Sequence, residues 1–358
     1  MKRVFVIIIG GLLLCSVSGA QQTQTGSIAG IVTLGEGGEP LPGVTVSATA
    51  DVLPRVRSTV TDANGEYRFA AMPPGDYELT FTMLGFATEK MEFPVSLQQK
   101  ALINVAMKDA QFEGEIMVTA ETPTIDTTSS EIKASVSEEV IQSLPVGQQY
   151  RDLVKLIPGV QYTEDEIRGP SAGGSGQDNS YEFDGVSVSL PQYGTLSTQP
   201  SSHDIEEMAV VKGGANAIGF NRSGGILINT LSKSGTNQFH GELNYQAQTA
   251  SMTSDRKAES EETFDEDFDW LVANVGGPII PEMLYFYASY YRPTETRANR
   301  ANAYGEVPDY KEVRDEWFAK LTFTPTDSLL FHASYRDSET DQSGGGVFEY
   351  DAASTSWG

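Results

Sequence analysis

The chain of 358 residues contains one cysteine, Cys15, and three histidines, His203, His240 and His332. A single thiol cannot build a disulfide framework. The histidines lie in separate segments, without i, i+4 spacing and without a cysteine nearby, so no zinc-ligand pattern is present. Basic residues are scarce: 24 Lys and Arg stand against 49 Asp and Glu, a formal net charge of -25. Such a chain repels a polyanion instead of releasing its counterions, which disfavours nucleic acid as a partner. Long apolar runs are missing beyond the N-terminus. Without ~20 consecutive apolar residues there is no spanning helix, and residence in a membrane would require a β-barrel. No Gly-x-Ser-x-Gly stands at a strand-to-helix elbow, and neither Gly213-Gly214 nor Gly224-Gly225 is followed by Gly-Lys-Ser/Thr. The glycine pairs therefore read as tight turns, and neither a catalytic residue nor a cofactor is expected.

What is present begins with residues 1–20. Lys2 and Arg3 form a basic start, 4–14 an apolar run of about a dozen residues, and Ser18-Gly19-Ala20 a small-residue cleavage site. This pattern predicts a removed export signal rather than a spanning helix. Cys15 could suggest a lipoprotein, but Leu14 stands where a small residue is needed, so a cysteine inside the removed segment is the simpler reading.

Residues 25–109 form the first unit. Short β-prone runs at 27–34, 44–50, 58–61, 67–70, 77–83 and 102–107 alternate with turns at Gly35, Gly37-Gly38, Asn64-Gly65 and Pro73-Pro74-Gly75. Asn64-Gly65, between Val60 and Tyr67, predicts a type I′ hairpin. Short strands at this spacing predict a small β-sandwich. The pieces Pro40-Leu41-Pro42-Gly43-Val44, Thr61-Asp62-Ala63-Asn64-Gly65-Glu66-Tyr67, Pro74-Gly75-Asp76-Tyr77 and Gly85-Phe86 resemble the carboxypeptidase regulatory-like domain. That resemblance implies a prealbumin-like sandwich without catalysis of its own.

The second unit spans 113–235. It opens with the β-prone Glu115, Ile116, Met117, Val118, Thr119 and Ala120, followed by the polar run 121–130. Ser137 caps a predicted helix through Glu138, Glu139, Val140, Ile141 and Leu144, which Pro145 ends. A second helical piece at 150–156 stops at Pro158-Gly159, and 171–176 is a Gly/Ser loop. The run from Glu182 through Asp184-Gly185 to Val186 reads as strand, turn, strand. Strands at 208–211 and 226–231 flank Lys212-Gly213-Gly214 and Gly224-Gly225. The ordered series Leu144-Pro145-Val146-Gly147, Pro158-Gly159-Val160, Asp184-Gly185-Val186 and Ile205-Glu206…Val211-Lys212-Gly213 resembles the plug domain of TonB-dependent outer-membrane receptors. The Arg-Gly motif of such plugs is reduced here to Ile167-Arg168-Gly169.

Residues 236–358 carry an independent physical signal. Candidate strands at 237–249, 267–276, 283–292, 314–324 and 328–338 are joined alternately by short turns (277–282, 325–327) and long polar loops (250–266, 293–313). Transmembrane barrels alternate in this way, with strands of about ten tilted residues spanning ~25 Å. Trp317, Ala319, Leu321 and Phe323 are expected to face lipid, with Lys320, Thr322 and Thr324 facing the lumen. Leu329, Phe331, Ala333 and Tyr335 likewise oppose Leu330, His332, Ser334 and Arg336, whereas 267–276 gives no clear faces. Five strands do not close such a barrel, so the chain reads as an N-terminal fragment of a longer receptor.

The fold expected is mainly β with an α+β middle domain: a prealbumin-like β-sandwich, a receptor plug domain and the first strands of an incomplete transmembrane β-barrel. The resemblance implies TonB-energised uptake of an unidentified solute, with the plug closing the barrel, TonB and outer-membrane lipids as partners, and the sandwich in the periplasm. Residues 115–120 would act as a free strand added to TonB's sheet edge; the alternative is an ordinary linker. Asp184, Gly185, Val211, Lys212, Gly213, Gly224 and Gly225 would be the plug's structural signature. Asp265, Asp267 and Asp269, within the acidic run 259–269, could hold a cation or form a solvated, self-repelling loop. A non-transporting adhesin of the same fold is the rival functional reading.

Overall fold

The computed structural model describes residues 24–35, 38–109, 116–119, 133–143, 150–163, 169–190, 192, 194–197, 200–212, 225–252, 266–298, 308–326 and 329–344. The export signal predicted at 1–20 lies outside the described residues, as do Glu115, Ala120, Gly213, Gly224 and Asp265.

The first unit is a sandwich of two sheets. One has β1 (Gly26–Leu34) at its centre, antiparallel to β4 (Glu66–Met72) and parallel to β7 (Lys100–Leu102) and β8 (Val105–Met107). The other runs in the order β3 (Arg57–Val60), β2 (Thr45–Thr49), β5 (Gly75–Thr82), β6 (Glu89–Val95), β9 (Ile116–Thr119). Alternation places Ile28, Tyr67 and Phe69 of the first sheet against Val46, Leu79 and Phe81 of the second, all buried. Tyr67 and Phe81 meet edge-on across the layers at 5.6 Å between ring centres. Each such buried large apolar side chain stabilises the sandwich by roughly 1.5–3 kcal/mol.

Three differences from the sequence reading have local causes. The run 102–107 is broken at Ile103-Asn104, where the Asn104 Oδ1 accepts the Ile31 N–H at 3.0 Å and so takes the place of a ladder bond. Strand β6 was not expected, because Lys90, Glu92 and Pro94 mask its alternation of Glu89, Met91, Phe93 and Val95. Asn64-Gly65 does not make a type I′ hairpin. Gly65 alone of the pair has positive φ, at 70°, and the Asp62 Oδ1 accepts the N–H groups of Asn64 and Glu66 at 2.8 and 2.9 Å. The turn carries the chain from one sheet to the other: β3 pairs with β2, and β4 with β1.

The middle unit is the expected α+β domain. Its sheet runs β10 (Lys133–Ser137), β13 (Ile205–Val211), β14 (Leu227–Ser232), β11 (Ser180–Phe183), β12 (Val186–Ser187). Helix α1 (Glu138–Ser143) follows β10, and the second helical piece expected, Tyr150–Leu156, is a 3-10 helix. Leu153, Val154 and Ile157 pack on Ile205, Met208, Val210, Ile226 and Ile228 to form its core. The hairpin between β11 and β12 turns through Asp184 and Gly185 with φ of 50° and 76°, the pair of positive angles a type I′ turn requires.

The third unit is an antiparallel meander in sequence order: β15 (His240–Gln248), β16 (Glu266–Ile280), β17 (Leu284–Arg297), β18 (Tyr310–Thr326) and β19 (Leu329–Ser343). The last four have 15, 14, 17 and 15 residues, longer than the ten expected. Their polar far ends continue the ladder beyond the apolar band. Burial along β18 alternates as predicted: Trp317, Ala319, Leu321 and Phe323 are exposed, while Glu316, Phe318, Lys320 and Thr324 are buried. Strand β16 gave no legible faces because Val272 shares the inner side with Asn274 and Gly276; it lies buried opposite Tyr291.

Candidate functional site

The inner face of the meander is covered by the middle unit. Three strands project the contacts: Tyr287 and Ser289 from β17, Glu316, Phe318 and Lys320 from β18, and His332 and Arg336 from β19. Against them the middle unit sets the β11–β12 turn, the end of β14, and the 3-10 turn Ser202–Asp204 that leads into β13.

At the centre, the Lys320 Nζ donates to the Asp184 Oδ1 at 3.1 Å, to the Ser232 Oγ at 2.9 Å and to the Ser232 carbonyl at 2.9 Å. All three ammonium donors are thereby used. The Ser232 N–H and hydroxyl in turn donate to Asp184 at 3.0 and 2.6 Å. Both charges are almost fully buried, at 2% and 3% exposure. Burial alone would raise the Asp184 carboxyl, but the Lys320 charge and the bonds from Ser232 hold it below the usual range. The tight type I′ turn is what brings this carboxylate to the tip of the hairpin. The side chain of Lys320 reaches it because β18 alternates.

A second cluster lies beside the first. The Arg336 guanidinium donates to the Glu316 Oε1 at 2.5 Å, and the same oxygen accepts the Ser201 N–H at 3.3 Å. Arg336 also sits over the rings of Phe183 and Phe318, 4.6 and 4.8 Å from their centres. Phe183, Phe318 and Tyr287 form a small apolar cluster across the two units. The Tyr287 hydroxyl donates to the Asp204 Oδ1 at 3.1 Å. Burial pushes the Asp204 carboxyl up, against the opposing effects of Ser289, Arg336 and Tyr287.

The sandwich is fastened to both other units. The Leu97 N–H donates to the Glu207 Oε2 at 2.7 Å, and the Gln24 Nε2 to the Asn229 Oδ1 at 3.1 Å. Arg55 reaches the Thr324 carbonyl at 3.5 Å, and the Asn237 Nδ2 donates to the Pro54 carbonyl at 2.8 Å. Burial pushes the Glu207 carboxyl up to about 7, with neighbouring Glu206 adding to the rise and the bond from Leu97 opposing it.

Of the residues singled out in the sequence, Asp184 and Gly185 stand at this interface. Val211 is buried in β13, paired with Lys133 and Leu227, and the Lys212 Nζ donates to the Pro158 carbonyl. Gly225 is closely packed within the middle unit: a Cβ there would stand 2.5 Å from the Asn179 Oδ1 and 2.6 Å from the Asp178 carbonyl carbon. Asp267 and Asp269 lie on β16, and the Asp267 Oδ1 accepts the Ala250 N–H at 2.8 Å. Among the described residues no group of three His, Cys, Asp or Glu could hold a metal ion. Residues 116–119 belong to the sandwich. They are not a free strand but the edge strand of the sandwich, parallel to β6. Sequence reasoning placed Lys320 and Arg336 correctly but missed Glu316, Asp204 and Glu207. For Glu316 the signal was available, since it continues the inward series Lys320, Phe318 by one more step of two.

A sheet that is apolar outside, with a separate α+β unit bonded across its inner face, has the arrangement of a stoppered barrel wall. Residues 27–108 match the family described as Carboxypeptidase regulatory-like domain. Over 365 aligned residues the chain is 28% identical to the TonB-dependent transporter Oar of Myxococcus xanthus, covering 96% of this chain and 33% of that protein. The chain is thus related to a TonB-dependent transporter along nearly its whole length, and spans about a third of that relative. Among solved structures it is similar to the siderophore receptor PirA from Acinetobacter baumannii, at 18% identity and a TM-score of 0.45, over 59% of this chain and 32% of that one. It is also similar to the ferric-catecholate import receptor Fiu from E. coli K12, at 15% identity and a TM-score of 0.40, over 60% and 39%.

Proposed function

We propose that the chain forms the sandwich, the plug and the first wall strands of an outer-membrane receptor that takes up a solute with energy delivered by TonB. The observation that carries this reading is the two-sidedness of β18. Trp317, Leu321 and Phe323 point outward and exposed, while Glu316 and Lys320 on the other side are buried against the middle unit. Lipid on one side and a stopper on the other account for both halves of that pattern. The similarity to a TonB-dependent transporter over 96% of the chain supports it.

In this reading the middle unit closes the lumen, and residues 115–120 are the strand that TonB takes into its sheet. The sandwich lies on the periplasmic side, against the short-turn rim marked by Asn237, Met283 and Thr324. The solute would be met by plug apices and long loops on the opposite side. Replacing Val118 with proline removes a ladder N–H and is expected to abolish co-purification with TonB's C-terminal domain. Undiminished capture of Val118→Pro sinks the assignment of the strand, and a chain found outside the outer-membrane fraction sinks the receptor reading.

A further inference from the structure

The strand Ile116–Thr119 is paired along its whole length with β6: Glu89 opposite Ile116, Lys90 opposite Met117, Met91 opposite Val118 and Glu92 opposite Thr119. We propose that the outer edge of β6 is an acceptor built into the sandwich for this segment, and that the coupling partner engages the segment only after it has left that edge. This rests on the reading of residues 115–120 as the partner-binding strand.

The acceptor edge is bounded at both ends. Upstream, Phe86 bridges Asp109 and the Ala87 N–H donates to the Lys108 carbonyl at 2.9 Å, so the chain is fastened beside β6 just before the segment begins. Downstream, Pro94 has no N–H to offer. The open stretch between is Glu89–Glu92, the length of the docked strand. Without that strand β6 would be a bare sheet edge, which proteins rarely leave uncovered. Six residues, 110–115, link the fastened point to the strand. A tether that short holds the local concentration of the segment in the millimolar range. A four-residue ladder is nonetheless shorter than an ordinary strand of ~5–6 residues, so it can be exchanged.

Release matters because of where a pull would go. While docked, the segment is part of a sandwich tied to the sheet's rim through Arg55 and Asn237. A pull on it loads the sandwich and rim. Once it is undocked, the same pull runs down the chain to β10, whose partner in the ladder is β13 of the stopper.

The test is a reversible lock. Adjacent strands lie ~4.8 Å apart, within the ~4.4–6.8 Å between Cα atoms that a disulfide spans. Lys90→Cys with Met117→Cys in a Cys15→Ser chain should therefore cross-link on mild oxidation, and Lys90→Cys with Thr119→Cys should not. Binding of the oxidised chain to TonB's C-terminal domain is expected to fall more than about tenfold, given the millimolar local concentration of the docked strand, and to return on reduction. Failure of the registered pair to cross-link overturns the docking. Cross-linking that leaves partner binding unchanged overturns the exchange. A cross-link that forms while the reduced chain does not bind TonB overturns the partner reading, and with it the exchange, but leaves the docked strand established.

Discussion

Glu207 sits where the sandwich meets the stopper, and its carboxyl is held in a buried setting that favours the protonated form. Its ordinary value of 4.5 rises to about 7 on folding. Between those two pH values the folded chain binds the extra proton and the unfolded chain does not. Stability contributed at this site is therefore full below about 4.5 and lost as pH rises through about 7. Glu207→Gln is expected to flatten that part of a plot of melting temperature against pH. An unchanged slope would assign the effect to Glu206, whose carboxyl is likewise pushed up to about 7 by burial and by Glu138. Asp184 behaves in the opposite sense. Its lowered carboxyl contributes stability above the ordinary range, and this is lost only as pH falls through the folded value. Removing its partner with Lys320→Met strands a buried carboxylate and is expected to cost about 3–5 kcal/mol. Urea unfolding in detergent should show the double change Asp184→Asn with Lys320→Met recovering part of that loss.

At the scale of elements, periodicity was legible wherever one face met a single environment. Strand β18 reads correctly from its alternation, because the residues it exposes outward and those it buries against the middle unit differ in kind. Strand β16 does not, because its inner face accepts Val272 as readily as Asn274 when the opposing surface is protein rather than water. Strand β6 was hidden by Pro94 and two charged residues on an edge that another strand later covers. Turn chemistry misled in one place and succeeded in another. Asn-Gly and Asp-Gly both favour positive φ, yet only Asp184-Gly185 takes two positive angles, while Asp62 captures the Asn64 and Glu66 amides and makes a different turn. The site was legible as to its hairpin and its inward lysine. Of its acids, Asp184 was marked by the Asp-Gly turn and Glu316 by the inward series of β18, whereas Asp204 and Glu207 were not, because a carboxylate in a strongly acidic chain carries no mark of burial.

At the scale of the whole molecule, the outward face of the meander makes the clearest demand. Leu321 and Phe323 of β18 stand beside Ala333 and Phe331 of β19, and Trp317 lies further along the same row. A cation placed in this row, Leu321→Arg, is expected to cost about 2–4 kcal/mol if it falls near the bilayer midplane. The loss should be read as poorer assembly into membranes; a chain that assembles normally would count against lipid on that side. The stopper's seat has a different character. Its contacts with the sheet include one lysine, one arginine and a tyrosine hydroxyl with their acidic partners, and Phe183, Tyr287 and Phe318 form an apolar cluster between the two. Parting two such surfaces exchanges hydrogen bonds within protein for hydrogen bonds to water and uncovers the rings of Phe183, Tyr287 and Phe318. Resistance to parting them is thus shared between a few short-range bonds, which yield after a small displacement, and one aromatic cluster, whose return to burial would draw the gap shut.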